Sequence, residues 1–217
     1  MRRLLALGAV ALAGATVAAQ AAHQSAAAVQ TPALLKCSGI WRWPIKTLAD
    51  KPKLTHHASS VNVADLWDRA PGQTLTIRTP RIEPFEATIY RVTAILKYAR
   101  HVDDPADANG KGGGDLDYHL VIADINNPAK TMIVEFPDPG CTKGATTTRR
   151  KQMKAARLAF ATDCHGAPQH DFANLSGRAT ITGVGFYDEP HAKGRSLHGA
   201  ELHPVLSFSS TNCRWVH

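Results

Sequence analysis

Aromatic residues make up only 6% of this 217-residue chain, which leaves little material for the stacking platforms that hold single-stranded nucleic acids. After Val17 no apolar run approaches the roughly 18 residues that a membrane-spanning helix requires, so no helical span is expected beyond the N-terminus. The G-x-S-x-G, H-E-x-x-H and P-loop patterns are missing, which removes the usual sequence marks of a serine hydrolase, a zinc protease and a phosphate-cradling loop. Cysteine is sparse as well: there are 4, with no Cys-x-x-Cys and no close Cys/His spacing, a distribution unlike that of a structural zinc site.

What is present begins with an address. Met1-Arg2-Arg3 is a short basic head, Leu4 to Val17 is apolar, and Ala19-Gln20-Ala21 has the small-x-small form of a cleavage site, together reading as a secretory signal peptide over residues 1–22. The expected destination is secreted or periplasmic. Without Arg2 and Arg3, 23 basic residues face 18 acidic ones and the net charge drops from +7 to +5, too mild a surplus to imply nucleic acid by itself. In an oxidising compartment the even set Cys37, Cys141, Cys164 and Cys213 is expected to form two disulfides. Of three connectivities, the expected one joins Cys141 to Cys164 around one helix and Cys37 to Cys213 across the ends of the fold.

Residues 23–36 are small and polar and read as a flexible leader; residues 37–217 read as a single domain that starts with an extended arm, 37–84, carrying a helical turn at Val63 to Asp68. From Glu86 the text becomes β-branched and aromatic, predicting a long bent strand to His101, then strands over 117–124 and 131–136. The period next changes to that of a helix from Thr146 to about Thr162, with Met153, Ala156 and Phe160 on one face and Arg150, Lys154 and Arg157 on another. Alternating strands follow at 177–188 and 200–208. Three strands, a helix and two strands is the order of the OB-fold, a five-stranded, partly open barrel. A mainly β chain with one helix is therefore expected; a β-sandwich is the alternative.

Alternate residues of a strand share a face, and two tripeptides thereby pair an acid with an imidazole: Asp117-Tyr118-His119 and Glu201-Leu202-His203. Glu135 is the lone charge in its strand and needs a partner or an open face. Asp188, Glu189, His191 and His198 occupy the loop before the last strand. Asp117, His119, Glu135, Glu201 and His203 are the candidate ligand-binding residues. His119, Glu135 and His203 are candidate ligands of a divalent metal, and Asp117 and His191 candidate proton-handling residues. The plainer alternative is polar pairing that locks strands. Arg149, Arg150, Lys154 and Arg157 on the helix offer charge to an anionic partner; for stacking only Tyr90, Tyr98, Tyr118, Phe186 and Tyr187 are in position.

The strings DYHLV (117–121), MIVEFP (132–137), GVGFYD (183–188) and HGAELHPVL (198–206) resemble a group of secreted bacterial proteins of unassigned activity, in which D-x-H-L-V, I-x-E-x-P, G-V-x-F-x-D and E-L-H-P-V strands recur. The resemblance spans about 45–208. That group usually has H-G-Q-x-G-x-A-P-N before E-L-H-P, where this chain runs from His191 to Gly199 with His198 in place of the Asn. The resemblance implies export and an OB-like barrel, and no reaction. The leading expectation is thus an exported, disulfide-stapled binding module for an anionic oligomer or an ion. The alternatives are a metal-dependent hydrolase acting on phosphodiesters and a structural or interaction domain.

Overall fold

Thirteen residues from Ile89 to His101 form β2, a strand that serves two barrel partners in turn and carries two short strands besides. In the computed structural model, which describes residues 37, 41–102, 116–189 and 193–216, Ile89–Ile95 pairs antiparallel with β6 (Arg178–Tyr187) and Ile95–His101 with β3 (Tyr118–Ala123). The change of partner falls at Ile95, and a register shift just beyond it, between Leu96 and Tyr98, bends the strand around the barrel. β3 pairs with β4 (Thr131–Phe136), β4 runs parallel to β7 (Ala200–Ser209) at Val134 and Leu202, and β7 returns to β6. The ring β2–β3–β4–β7–β6 is a closed five-stranded mixed barrel. With helix α3 (Thr147–Asp163) between its third and fourth strands, the expected OB-like order is observed. β1 (Ser59–Ser60), β5 (Ala173–Ser176) and β8 (Arg214–Val216) lie outside the ring. The segments expected at 1–22 and 23–36, the Gly- and Asp-rich stretch at 103–115 and His191 lie outside the described residues.

Strand alternation sends Val92, Ala94, Leu120, Ile122, Val134, Ile181 and Leu202 into one core, which Ala156 and Phe160 of α3 join. Phe160 lies 5.1 Å from the Phe136 ring and 5.3 Å from that of Phe208; burying such a side chain contributes about 2–3 kcal/mol. Thr146 caps α3, its hydroxyl accepting from the Arg149 N–H at 3.4 Å. The arm contributes α1 (Trp43–Lys46) and α2 (Val63–Trp67), the second at the expected place and closed by Asp65 accepting from the Asn62 N–H at 2.8 Å.

Two expectations are corrected. The disulfides are Cys37–Cys141 and Cys164–Cys213, with Cα separations of 5.2 and 4.6 Å, instead of Cys141–Cys164 and Cys37–Cys213. Cys141 and Cys164 stand at opposite ends of a 17-residue helix, about 25 Å of rise, far beyond the roughly 7 Å a disulfide spans. Arg157, expected on the solvated basic face, is buried. It sits four residues after Met153 and three before Phe160, on the apolar side, where it donates to the carbonyls of Phe136 (2.7 Å) and Leu116 (2.9 Å) and stacks 3.4 Å above the Tyr118 ring.

Candidate functional site

Residues that alternate with the barrel core point to its outer face, and on β3, β4 and β7 several of these are polar. His119 stands opposite Glu135 in the register, Phe186 opposite Glu201, and Val134 beside Leu202. These pairings bring the two acid–imidazole tripeptides to Glu135 from either side. His119 Nδ1 is 2.9 Å from Glu135 Oε1, His203 Nδ1 is 2.8 Å from Glu135 Oε2, and His203 Nε2 is 3.2 Å from Asp117 Oδ2. The other oxygen of Asp117 accepts from the Asp138 N–H at 2.9 Å. Asp117, His119, Glu135, Glu201 and His203 thus gather in one region, a convergence that the strand pairing supplies and that spacing alone left open; His198 is exposed.

The cluster does not face solvent. None of these five residues is more than 4% exposed: the arm reaches Glu135 through Lys46, and Phe172, after α3, packs on His119 with 5.5 Å between ring centroids. Pro44 opens α1, and one turn places the Lys46 ammonium 2.8 Å from Asp188 Oδ2 and 3.4 Å from Glu135 Oε2. Four residues earlier Arg42 is also buried, with every donor engaged: Nη1 to Glu86 Oε1 (2.7 Å) and the Tyr187 carbonyl (3.0 Å), Nη2 to Glu86 Oε2 (2.6 Å) and the Pro80 carbonyl (2.9 Å), Nε to the Thr79 carbonyl (3.1 Å). A guanidinium has five N–H donors in a planar fork, so the arm is fixed at this point in position and direction. Phe186 lies under both cations, 5.1 Å from Arg42 Cζ and 5.7 Å from Lys46 Nζ.

Burial governs the protonation states. It would raise the Glu135 carboxyl, but Lys46 and the contacts with His119 and His203 outweigh it and hold the group well below the usual carboxylate range. Glu201 moves the other way: burial pushes it well above that range, and Asp188 and Glu135 nearby add to the push. His203 would be lowered by burial, yet the carboxylates of Asp117 and Glu135 raise it to about 9. With a carboxylate oxygen within 3.2 Å of each ring nitrogen, the site favours the imidazolium form of His203.

Among the described residues two triads have donor atoms all within 4.8 Å of one another, Asp117–Glu135–His203 and Glu135–Asp188–Glu201. The donor types suit a divalent cation, but both positions already hold positive charge. An ion in the first triad must take the proton shared between His203 and its carboxylates; one in the second must displace the Lys46 ammonium. The residues present therefore fit a self-neutralising network better than a metal centre. His119, Glu135 and His203, the expected ligand set, meet through the two separate oxygens of Glu135.

No family model, no curated protein and no solved structure matches the chain.

A second, open region lies at the start of α3. Arg149 is half-buried while Arg150, Lys151 and Lys154 are exposed, and α3 has no acidic residue before Asp163, its last. Cations at the positive end of a helix macrodipole and an anion at the negative end are both unfavourable placements. On one side of this basic end is a depression of about 480 Å³, walled by Leu48, Lys51, Pro52 and Leu54 of the arm and by Thr146, Thr148, Arg149 and Gln152. On the other is one of about 370 Å³, lined by Pro139, Thr142, Thr147, Arg150, Lys151 and Lys154. Sequence reasoning finds the helix cations; it misses Lys51, Arg42, Lys46 and Glu86. The arm shows no period, and the spacing of Arg42 and Lys46 among Trp41, Trp43 and Ile45 is the one signal that two cations share a buried helical side.

Proposed function

We propose that the protein is an exported, OB-like binding module that takes an anionic oligomer at the N-terminal end of α3. The carrying observation is the unfavourable concentration of Arg149, Arg150 and Lys151 at the start of α3, with Lys154 one turn further on, between two depressions of ligand size. An oligomer running across both meets Lys51 on one flank and Lys151 and Lys154 on the other. The β3–β4 face, by which OB barrels commonly take ligands, is closed here at His119 and Glu135, which favours binding elsewhere. Export is supported by the N-terminal pattern at 1–22, by two disulfides, and by the absence among the described residues of a helix long and apolar enough to cross a membrane. The His/carboxylate network serves in this reading as the lock between arm and barrel. A metal-dependent hydrolase is the weaker reading, since Glu135 is buried and its two oxygens already face Lys46, His119 and His203.

Linear tripolyphosphate is a suitable probe. Calorimetric titration at several salt concentrations is expected to give saturable binding that weakens as salt rises, because salt screens the attraction between exposed charges. Arg150→Ala combined with Lys154→Ala should lose about tenfold or more of that affinity, equivalent to about 1.4 kcal/mol, with an unchanged circular-dichroism spectrum. Undiminished affinity in that double variant is incompatible with the proposal.

A further inference from the structure

One face of α3 is left uncovered by the described residues. The helix turns Met153, Ala156, Arg157 and Phe160 inward. On the opposite side, spacings of three and four align Thr148, Lys151, Ala155, Leu158 and Thr162 in a ridge, all five exposed. Leu158 is 64% exposed, the highest value for any large apolar side chain among the described residues. A single exposed leucine is ordinary. This one stands on a helix whose open side carries charge of one sign: Lys151 is on the ridge, Arg150 and Lys154 are beside it, and Asp163, the one acid of α3, accepts from the Ser210 N–H at 2.8 Å. Acids in the segments that flank the helix start are engaged as well. Asp50 pairs with Arg81 through both oxygens at 2.8 Å, and Asp138 accepts from the Gly140 N–H at 2.7 Å.

The two depressions lie on either side of this ridge. Arg149 and Gln152 line the larger, Arg150 and Lys154 the smaller, and at 3.6 residues per turn the two pairs point to opposite flanks of the helix. With side chains a helix is about 10–12 Å across, so a ligand that fills both depressions must present anions on both sides of the ridge at once. A short linear chain has to bend over the helix to do so. A flat array of headgroups offers an anion to each flank without bending, and the ridge residues Ala155, Leu158 and Thr162 then lie along its plane. A second copy of the chain is a poor occupant, since it would set Lys151 and the cations beside it against their own kind.

We propose that this face of α3 docks on an anionic lipid surface, an inference that rests on the anion reading above and names the ligand as the phosphates of lipid headgroups. The cations supply most of the affinity: each Lys or Arg close to an anionic leaflet is worth about fivefold in partitioning. Leu158 enters the headgroup region and adds an apolar contribution that a soluble anion cannot use. The attachment is peripheral and reversible, because one leucine and a few cations fall far short of an anchor.

Sedimentation with vesicles equimolar in phosphatidylcholine and phosphatidylglycerol tests the docking, alongside calorimetry with tripolyphosphate. The protein should bind these vesicles about tenfold or more tightly than vesicles of phosphatidylcholine alone, and the preference should fade as salt rises. Arg150→Ala with Lys154→Ala should lower vesicle and tripolyphosphate affinity together. Leu158→Ser, at an exposed position, should keep the circular-dichroism spectrum and the tripolyphosphate affinity, while vesicle affinity falls about threefold or more. Equal binding to the two kinds of vesicle, or undiminished vesicle binding by Leu158→Ser, overturns the docking. Tripolyphosphate binding without vesicle binding overturns it too, and leaves a free oligomer as the ligand of the basic end. If neither probe is taken, the anion reading itself has failed and the docking falls with it.

Discussion

Replacing Arg150 by glutamate should make the protein more stable and a poorer anion binder at once. Arg150 is the fourth residue of α3, exposed, and held only by a 3.3 Å bond from Nη2 to the Thr147 hydroxyl, whose loss at a solvated position costs a few tenths of a kcal/mol. Removing a cation from the first turn and installing an anion there are each worth about 0.3–1 kcal/mol at low salt. The introduced carboxylate would precede Lys154 by four residues, the favourable orientation for a helical pair, adding roughly 0.3 kcal/mol. The balance is a gain of about 1 kcal/mol, or about 2–4 °C in melting temperature for a domain of this size. Thermal denaturation followed by circular dichroism at low and high salt measures it; the gain should shrink as salt screens the charges. Calorimetry with tripolyphosphate measures the accompanying loss of affinity. A lower melting temperature at low salt would refute the electrostatic account of α3, and a higher one with undiminished affinity would refute the assignment of its basic end to binding.

Three further outcomes are expected. His203 has a folded-state pKa of about 9 against an ordinary value of 6.5, so its protonation strengthens the fold fully below pH 6.5 and that contribution, on the order of 3 kcal/mol, is lost as pH rises through 9. Urea midpoints measured across this range should fall, with Glu201 contributing in the same direction from lower pH because its carboxyl is also raised, and a flat profile between pH 6.5 and 9 contradicts the bridging imidazolium. Lys46→Met removes the cation between Asp188 and Glu135 while keeping the unbranched stem, and should destabilise by about 3–5 kcal/mol, the usual result of stranding buried charge; a loss below about 1 kcal/mol by urea denaturation would show that the carboxylates find other partners. Gly144→Ala should loosen the arm, since the added methyl meets Ala49, and proteolysis near 48–54 should accelerate relative to the parent protein.

The barrel is legible in the sequence because its strands obey period two and its helix obeys 3.6, and because the order of the two periods admits few topologies. The same alternation brings Asp117, His119, Glu135, Glu201 and His203 to one side of their strands. It says nothing of what lies above them, and the cover that Lys46 gives Glu135 and Phe172 gives His119 comes from irregular segments whose side chains are oriented by tertiary contacts. Arg157 reads as part of a solvated stripe because charge is the stronger local cue, although its spacing from Met153 and Phe160 gives the apolar side. β5 and β8 are short and partly polar, and exist as strands because β2 and each other supply partners. Disulfide pairing rests on which ends of α3 face which loops, a distance that only the folded helix makes plain.

The long strand β2 has a kinetic consequence. Ile89 pairs with Val184 and Ile95 with Arg178, partners more than eighty positions away along the chain, and β4 meets β7 in parallel only after α3 and β6 have been made. The β3–β4 hairpin can form from local text, but the ring cannot close until nearly the last strand has emerged, and pairings of such separation fold slowly. Through that interval the edges of β2 and β4 are unpaired, and all four thiols are open to wrong partners. Oxidative refolding is therefore expected to pass through mispaired disulfides, with yield governed more by thiol exchange than by the speed of collapse.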